Sequence, residues 1–303
     1  MKQAKIRAAD LASPRQQRNW DWRAAANFIA GGAGGGLLLF NAMVSVDPDV
    51  IRATTLLGLM LIGGGLTCVW FEIGRPWRAL NVYRHFSSSW MTREAVVALG
   101  VFAAGGLAIL TLASAFVVLA GFLGLAFLYS QARILAANRG IPTWRHPRSI
   151  ALMIATGLAE GAGFLACVVS LFSLLVGSWT MVFMLVLIAL RAWFWKRYLA
   201  GLQADGAPDA ALQILTGFAS RFVLLGHVVP ALLVVLALAG MPGQSSLIFA
   251  AGLILVAAGW ILKYTLVRRA AFTQGLALLR LPVRGAGPPG PAARPGWKAV
   301  VEV

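Results

Sequence analysis

Glu72 ends one apolar segment and Glu94 opens the next, and the loop between them holds Arg75, Arg78, Arg84, His85 and Arg93. Two carboxylates flanked by guanidinium groups, placed where apolar segments end, can bind a polar headgroup and exchange protons with it. A capping role competes for Glu94. Ser89 or Thr92 can cap the helix that follows, and a carboxylate near its start complements the helix dipole. Glu160 and His227 fall near the middle of other apolar segments, where an ionisable group is costly and is a functional candidate by default. Arg191 is placed to pair with Glu160. A proton path through Glu160, Arg191 and His227 and a structural ion pair beside a hydrogen-bonded histidine are both open readings.

The elements that must position these groups are membrane spans. The chain has 303 residues, 59% hydrophobic and 12% charged, with a mean hydropathy of +0.79. A soluble domain carries roughly 25% charged residues, so a soluble fold is excluded. Apolar runs of about 20 residues, the length that crosses a bilayer as a helix, recur at 24–44, 53–72, 94–111, 114–134, 150–175, 179–198, 218–239 and 246–267. The uncharged run from Ala95 to Ala132 is too long for one crossing at 1.5 Å per residue and divides near Thr111–Ser114. The expected fold is all-α and polytopic, with eight transmembrane helices in two four-helix bundles. Its divisions are an N-terminal tail (1–23), a membrane domain (24–272) and a Pro/Gly-rich tail (273–303).

Of the 26 Lys and Arg residues, all but Arg52 fall on the N-terminal tail, the C-terminal end and alternate connections. Lys263 is counted with the C-terminal end and Arg191 with the sixth-to-seventh connection. The positive-inside bias then places both termini in the cytoplasm of a bacterial-type inner membrane. That bias also accounts for the net charge of +16 without a nucleic-acid partner, and a basic face suits anionic lipid or an acidic protein. Trp20, Trp22, Trp90, Trp193 and Trp195 fall near inner ends of spans, as interfacial aromatics do. The run Gly31-Gly32-Ala33-Gly34-Gly35-Gly36 has no following Lys-Ser/Thr and reads as a helix-packing surface rather than a phosphate loop. Cys68 and Cys167 have no metal-like spacing, and the expected metal set is none. Of three histidines, His85 and His146 fall in loops, which leaves His227 alone in a span and offers no bis-histidine haem site.

The loop motifs carry a family resemblance. Gly74-Arg75-Pro76-x-Arg78-Ala-x-Asn81, followed by Ser89-Trp90-x-x-Arg93-Glu94, resembles the DmsC/NrfD-like membrane anchor subunits of dimethyl sulfoxide reductase type. Weaker echoes are Asn27-Phe28-x-x-Gly31-Gly32, Tyr129-Ser130 and Pro142-x-Trp144. The resemblance implies an anchor that holds a four-cluster iron–sulfur subunit, which exchanges electrons with a molybdopterin catalytic subunit. It also implies a quinone (menaquinone or ubiquinone) bound near the docking face, with no haem or iron–sulfur cluster in this chain. Glu94 matches the family's acidic residue linked to quinol chemistry, and Arg75 and Arg78 match its basic loop. Glu72 departs from the pattern, since several relatives carry His there.

Four polar residues support a site independently. Asn27, Glu72, Glu94 and Tyr129 each fall near the inner end of a different span. A quinone needs hydrogen bonds at two carbonyl oxygens, a proton acceptor and an apolar channel for its tail. The expected catalytic residues are Glu94 and Glu72; the expected quinone-binding residues are Asn27, Arg75, Arg78, Glu94 and Tyr129. Arg75, Arg78, Arg84, Arg93 and Arg145 are the expected docking surface. The rival readings are a secondary transporter, which would favour inverted repeats, a membrane-embedded transferase, which would want paired Asp motifs for Mg²⁺, and a structural tether without a quinone site.

Overall fold

The computed structural model describes residues 13–44, 47–72, 81–82 and 86–275. Eight helices among them are long and apolar enough to cross a membrane. They are α1 (Trp22–Val44), α2 (Pro48–Glu72), α3 (Trp90–Thr111), α4 (Ser114–Ala137), α5 (Arg148–Leu171), α6 (Ser178–Ala204), α7 (Asp209–Leu238) and α8 (Gln244–Arg269). A one-turn helix, Pro142–Arg145, precedes α5. The first four helices pack as one bundle and the last four as a second, with α1 lying against α5 at the seam.

Local chemistry sets the ends. Pro48 opens α2, and the Asp47 carboxylate accepts from the N–H groups of Asp49 (2.9 Å) and Val50 (3.0 Å), so the close Asp pair serves as a helix start. Ser89 caps α3, accepting from the Thr92 N–H. The division between α3 and α4 falls where the uncharged run predicts it. Leu112 turns left-handed (φ 56°) and donates its N–H to the Ala108 carbonyl. Between α7 and α8 the chain reverses through Gly240 (φ 76°) and Gly243 (φ 80°), a backbone region that favours glycine. α7 begins nine residues before the span expected from 218, because Pro208 and Asp209 start a continuous helix. It contains a π-helical turn at Leu224–Val228, just before Pro230.

The segment before α1 and the segment after α8 meet at one end of the bundles, and an even number of spans puts them on the same side. Gln16 bridges Phe272, the Gln17 N–H donates to the Ala271 carbonyl, and the Thr273 N–H donates to the Arg15 carbonyl. Trp20 stacks on Trp144 (4.8 Å between centroids), whose indole N–H donates to the Leu266 carbonyl. Trp195 is not interfacial. It is buried among Tyr198, Phe218 and Phe222, because that face of α6 points at α7 rather than at lipid.

The glycine run of α1 packs against three helices. A Cβ on Gly34 would stand 2.7 Å from the Gly58 carbonyl oxygen of α2; Gly35 abuts the Gly124 carbonyl of α4; Gly36 abuts the Gly157 carbonyl of α5 most closely of all. Small residues that let helix backbones approach are the main source of packing between helices in lipid. The obstacle in each case is backbone, which cannot swing aside. Gly36→Ala is therefore expected to destabilise the detergent-solubilised protein by about 1–3 kcal/mol, the usual cost of overpacking. Gly64→Ala, with nothing within 4 Å of the new Cβ, should leave thermal unfolding unchanged.

His146 supplies a pH-dependent contact at the same end. Its Nδ1 accepts from the Arg148 N–H (3.2 Å), and its Nε2 lies 3.4 Å from an Asp205 carboxylate oxygen. An accepting Nδ1 requires the neutral ring, and burial holds the imidazole below its ordinary value of 6.5. A group whose folded value is depressed contributes stability that is present above the unfolded value and is lost as pH falls through the folded one. Melting temperature is expected to drop on acidification below about 6.5, and the drop should be smaller in His146→Gln.

Candidate functional site

A cavity of about 380 Å³ opens between α1, α2, α3 and α4 at the end of the bundle that carries the termini. Its wall is largely apolar: Trp20, Ala24 and Phe28, Leu66, Val69 and Trp70, Met91 and Ala95, and Ile134. Three polar side chains reach it, Asn27, Glu72 and Glu94. Of the four polar residues that the sequence groups from separate spans, the structure brings these three together.

Glu94 is the buried member, 6% exposed. It lies beyond the first turn of α3, and its carboxylate accepts from the Asn27 side-chain amide at 3.3 Å. The capping alternative goes to Ser89, which leaves Glu94 free to face the cavity. Asn27 is itself held from behind, since its backbone carbonyl accepts from the Gln131 side chain (2.9 Å). The Asn27 Oδ1 atom, fully buried, accepts no hydrogen bond among the described residues.

Glu72 is half-buried at the rim, where one carboxylate oxygen accepts from the Asp21 N–H at 3.5 Å. Asp21 pairs with Arg23 at 2.8 Å, and that hydrogen bond holds its carboxyl below the usual carboxylate range. Arg23 also donates to the Phe71 carbonyl, tying the start of α1 to the end of α2. The rim is therefore charged and wet, while the Glu94 end is enclosed.

Tyr129 does not line the cavity. Its ring packs edge-on against Trp90 (5.7 Å), its hydroxyl accepts from Arg133, and it is exposed. The four-residue turn of α4 points Tyr129 outward, whereas Gln131, two residues on, points inward and is fully buried. Gln131 is a site residue that sequence reasoning missed; the signal was an amide within an otherwise apolar span. Trp90 also lies beneath two guanidinium groups, Arg93 at 4.3 Å and Arg133 at 4.6 Å.

Arg75, Arg78 and Arg84 lie outside the described residues. Arg93 binds the loop before α3 through the carbonyls of Phe86 (3.0 Å) and Ser87 (2.6 Å). Arg145 is exposed and donates to the Arg139 carbonyl and to the Gln274 side chain.

A second polar cluster sits in the other bundle, and here the expected pairing is corrected. Glu160 pairs with Lys263, not with Arg191: Nζ lies 2.5 Å from Oε2, and both side chains are fully buried. Lys263 is therefore not part of the basic C-terminal end. It lies inside α8, which continues to Arg269, and its burial follows from the turn of the helix toward α5. Arg191, also fully buried in α6, donates instead to the carbonyls of Leu255 (3.3 Å) and Gly226 and to His227 Nε2 (3.4 Å). Pro230 explains this choice. Four residues after Gly226 it has no N–H to give the Gly226 carbonyl, and the guanidinium takes that carbonyl instead. His227 Nδ1 contacts the Phe222 carbonyl at 3.0 Å, which makes that nitrogen the donor.

Comparison with protein families gives one match, to the DMSO reductase anchor subunit (DmsC) over residues 29–266. The chain belongs to this family. It is thus a multi-pass membrane anchor subunit of an oxidoreductase complex. A search of curated proteins finds no match to the chain. The matched region of the anchor includes Glu72, Glu94, Gln131, Glu160 and Lys263, and Asn27 lies just before it.

Removing one partner of a buried ion pair strands the other charge, at a cost of about 3–5 kcal/mol. In the anchor, Lys263→Met should show a loss of that order in detergent unfolding. The double variant Lys263→Met/Glu160→Gln, which leaves neither member of the pair charged and alone, should recover most of it.

Proposed function

We propose that the anchor exchanges electrons and protons between a membrane quinone and a docked iron–sulfur subunit, which in turn serves a molybdopterin catalytic subunit. One observation carries this reading: a largely apolar cavity whose only buried carboxylate, among the described residues, is presented by an amide from a neighbouring helix. The cavity suits a ring headgroup with a polyprenyl tail, since the walls are aromatic and aliphatic and the polar groups sit together at one side. The orphaned Asn27 Oδ1 is an acceptor for a quinol hydroxyl. Glu94 is the proton acceptor, and Glu72 at the charged rim passes protons to water.

When bound, the quinone supplies the two-electron chemistry, and the chain supplies position and protons. Asn27 and Glu94 fix the ring edge, Trp20 and Phe28 cover it, and Glu94 takes the proton that leaves the hydroxyl. Arg93 and Arg145, together with Arg75, Arg78 and Arg84 of the same basic loops in the sequence, would give an acidic partner face its docking charges. The distribution of basic residues supports a cytoplasmic location for both termini and for that surface. Family membership supports the anchor role and the pairing with redox subunits.

A positioned general base contributes about 10²–10⁴-fold. Glu94→Gln is expected to slow quinol-coupled turnover of the assembled complex by about 10²-fold and to weaken quenching-detected binding of a quinol analogue. An assembled Glu94→Gln complex with native turnover and native analogue binding would remove Glu94 from the reaction, and a native complex that binds no analogue would instead establish a structural tether.

A further inference from the structure

The cavity between α1, α2, α3 and α4 measures about 380 Å³, near the low end of the roughly 300–1,000 Å³ of ligand pockets. A ring headgroup fits that space, and a polyprenyl tail many times longer does not. The tail of a quinone bound there has to leave the protein, and the burial of the wall residues marks the way out. On α1 and α4 the wall is shut: Ala24 is 5%, Phe28 3% and Ile134 7% exposed. On α2 and α3 it is open, since Trp70 and Met91 line the cavity and are also 44% and 46% exposed.

The seam between α2 and α3 accounts for the opening. Leu59, Gly63, Leu66 and Trp70 recur at three- and four-residue spacing on one face of α2, as Met91, Ala95, Ala98, Phe102 and Gly105 do on α3. Far from the termini the two faces touch. A Cβ on Gly105 would stand 2.8 Å from Leu59 Cδ2, and one on Gly63 would stand 3.4 Å from the Phe102 ring. Nearer the end that carries the termini, Leu66, Trp70, Met91 and Ala95 line the cavity instead. The two helices thus bound a slot that is closed where Phe102 meets Gly63 and open where Trp70 and Met91 reach the surface. Trp70 also packs on the exposed Phe71 (5.8 Å between centroids), an aromatic pair of the kind that sits at a membrane interface.

We infer that this slot is the lateral portal of the quinone site: a quinone or quinol with a long isoprenoid tail enters from the bilayer between α2 and α3, and the start of its tail stays held among Leu66, Trp70, Met91 and Ala95. The inference rests on the quinone reading above. The cavity has a second opening, the rim at Glu72, where Asp21 and Arg23 carry charge. A tail leaving by that rim would set its methylenes against charge and water, at about 0.8 kcal/mol each. The slot passes them from an apolar wall into hydrocarbon without that cost. The two openings therefore divide the work: protons pass at the rim, and quinone exchanges with quinol at the slot, so the apolar substrate does not cross the charged side. Trp70, Met91 and Ala95 become the residues that select a substrate by its tail.

Photo-crosslinking of the assembled complex in lipid nanodiscs tests this, with a naphthoquinone and a benzoquinone that each carry a diazirine on the isoprene unit next to the ring. Label that excess unlabelled quinone displaces should map to residues 66–70 of α2 and 91–95 of α3. Ala95→Phe, which fills the slot, should lose most of that label. It should also raise the KM for a long-tailed quinol about tenfold more than the KM for a tailless one, because only the first loses tail binding. Displaceable label on other helices in place of these two, or equal KM changes for both quinols, would overturn the portal and leave the quinone site standing. A native complex in which neither probe gives displaceable label would overturn both.

Discussion

The close approach of four helix backbones at Gly34, Gly35 and Gly36 is the constraint on which the rest of the molecule depends. α1 touches α2, α4 and α5 through glycine at successive positions, so each neighbour meets a different side of the same turn. Within lipid, apolar side chains gain nothing by leaving hydrocarbon for hydrocarbon, and close van der Waals contact has to supply the association. A helix that reaches three partners without side chains becomes the common wall of both bundles. Its N-terminal end then forms one side of the cavity, and its middle becomes the seam that the second bundle closes.

The same absence of side chains makes room for buried polar groups. Gln131 lies against Gly31, Lys263 against Gly32 and Glu160 against Gly259. A charged or amide group inside a membrane helix needs both a partner and space within the protein, because lipid offers neither. Glycine supplies the space, and ion pairing and amide contacts supply the partners. The polar interior of this anchor is therefore a consequence of its glycine content, and larger residues at the seam would expel Lys263 and Gln131 together.

Much of the architecture was legible in the sequence, and the reasons are physical. Eight crossings followed from apolar length, the α3–α4 break from a run too long for one crossing, and the packing role of the glycine run from its place inside a span. Glu72, Glu94 and Asn27 came together because span ends at one membrane face share a depth. Pairing inside the membrane was not legible. Lys263 reads as a terminal basic residue until the extent of α8 is known, and the rotation that turns it toward α5 is set by packing. Arg191 was assigned to Glu160 on depth alone, whereas the carbonyl of Gly226, which Pro230 leaves without a helical donor, claims it. Tyr129 failed for the same reason: depth along a span is readable, but azimuth is set by the neighbours.

The two carboxylates of the cavity occupy environments that assign them different parts. Glu94 is enclosed, faces the side-chain amides of Asn27 and Gln131 and stands where a ring headgroup would meet it, so it takes a proton out of reach of bulk water. Glu72 shares the rim with Asp21 and Arg23, groups that remain charged and keep it in contact with water. A His at the Glu72 position could accept a proton at a rim of this kind without altering the enclosed partner. The substitution is therefore tolerable at the rim for a reason that does not extend to Glu94. At the enclosed position a neutral ring would remove the carboxylate to which Asn27 donates, and with it the charge that the buried amide N–H is placed to bind.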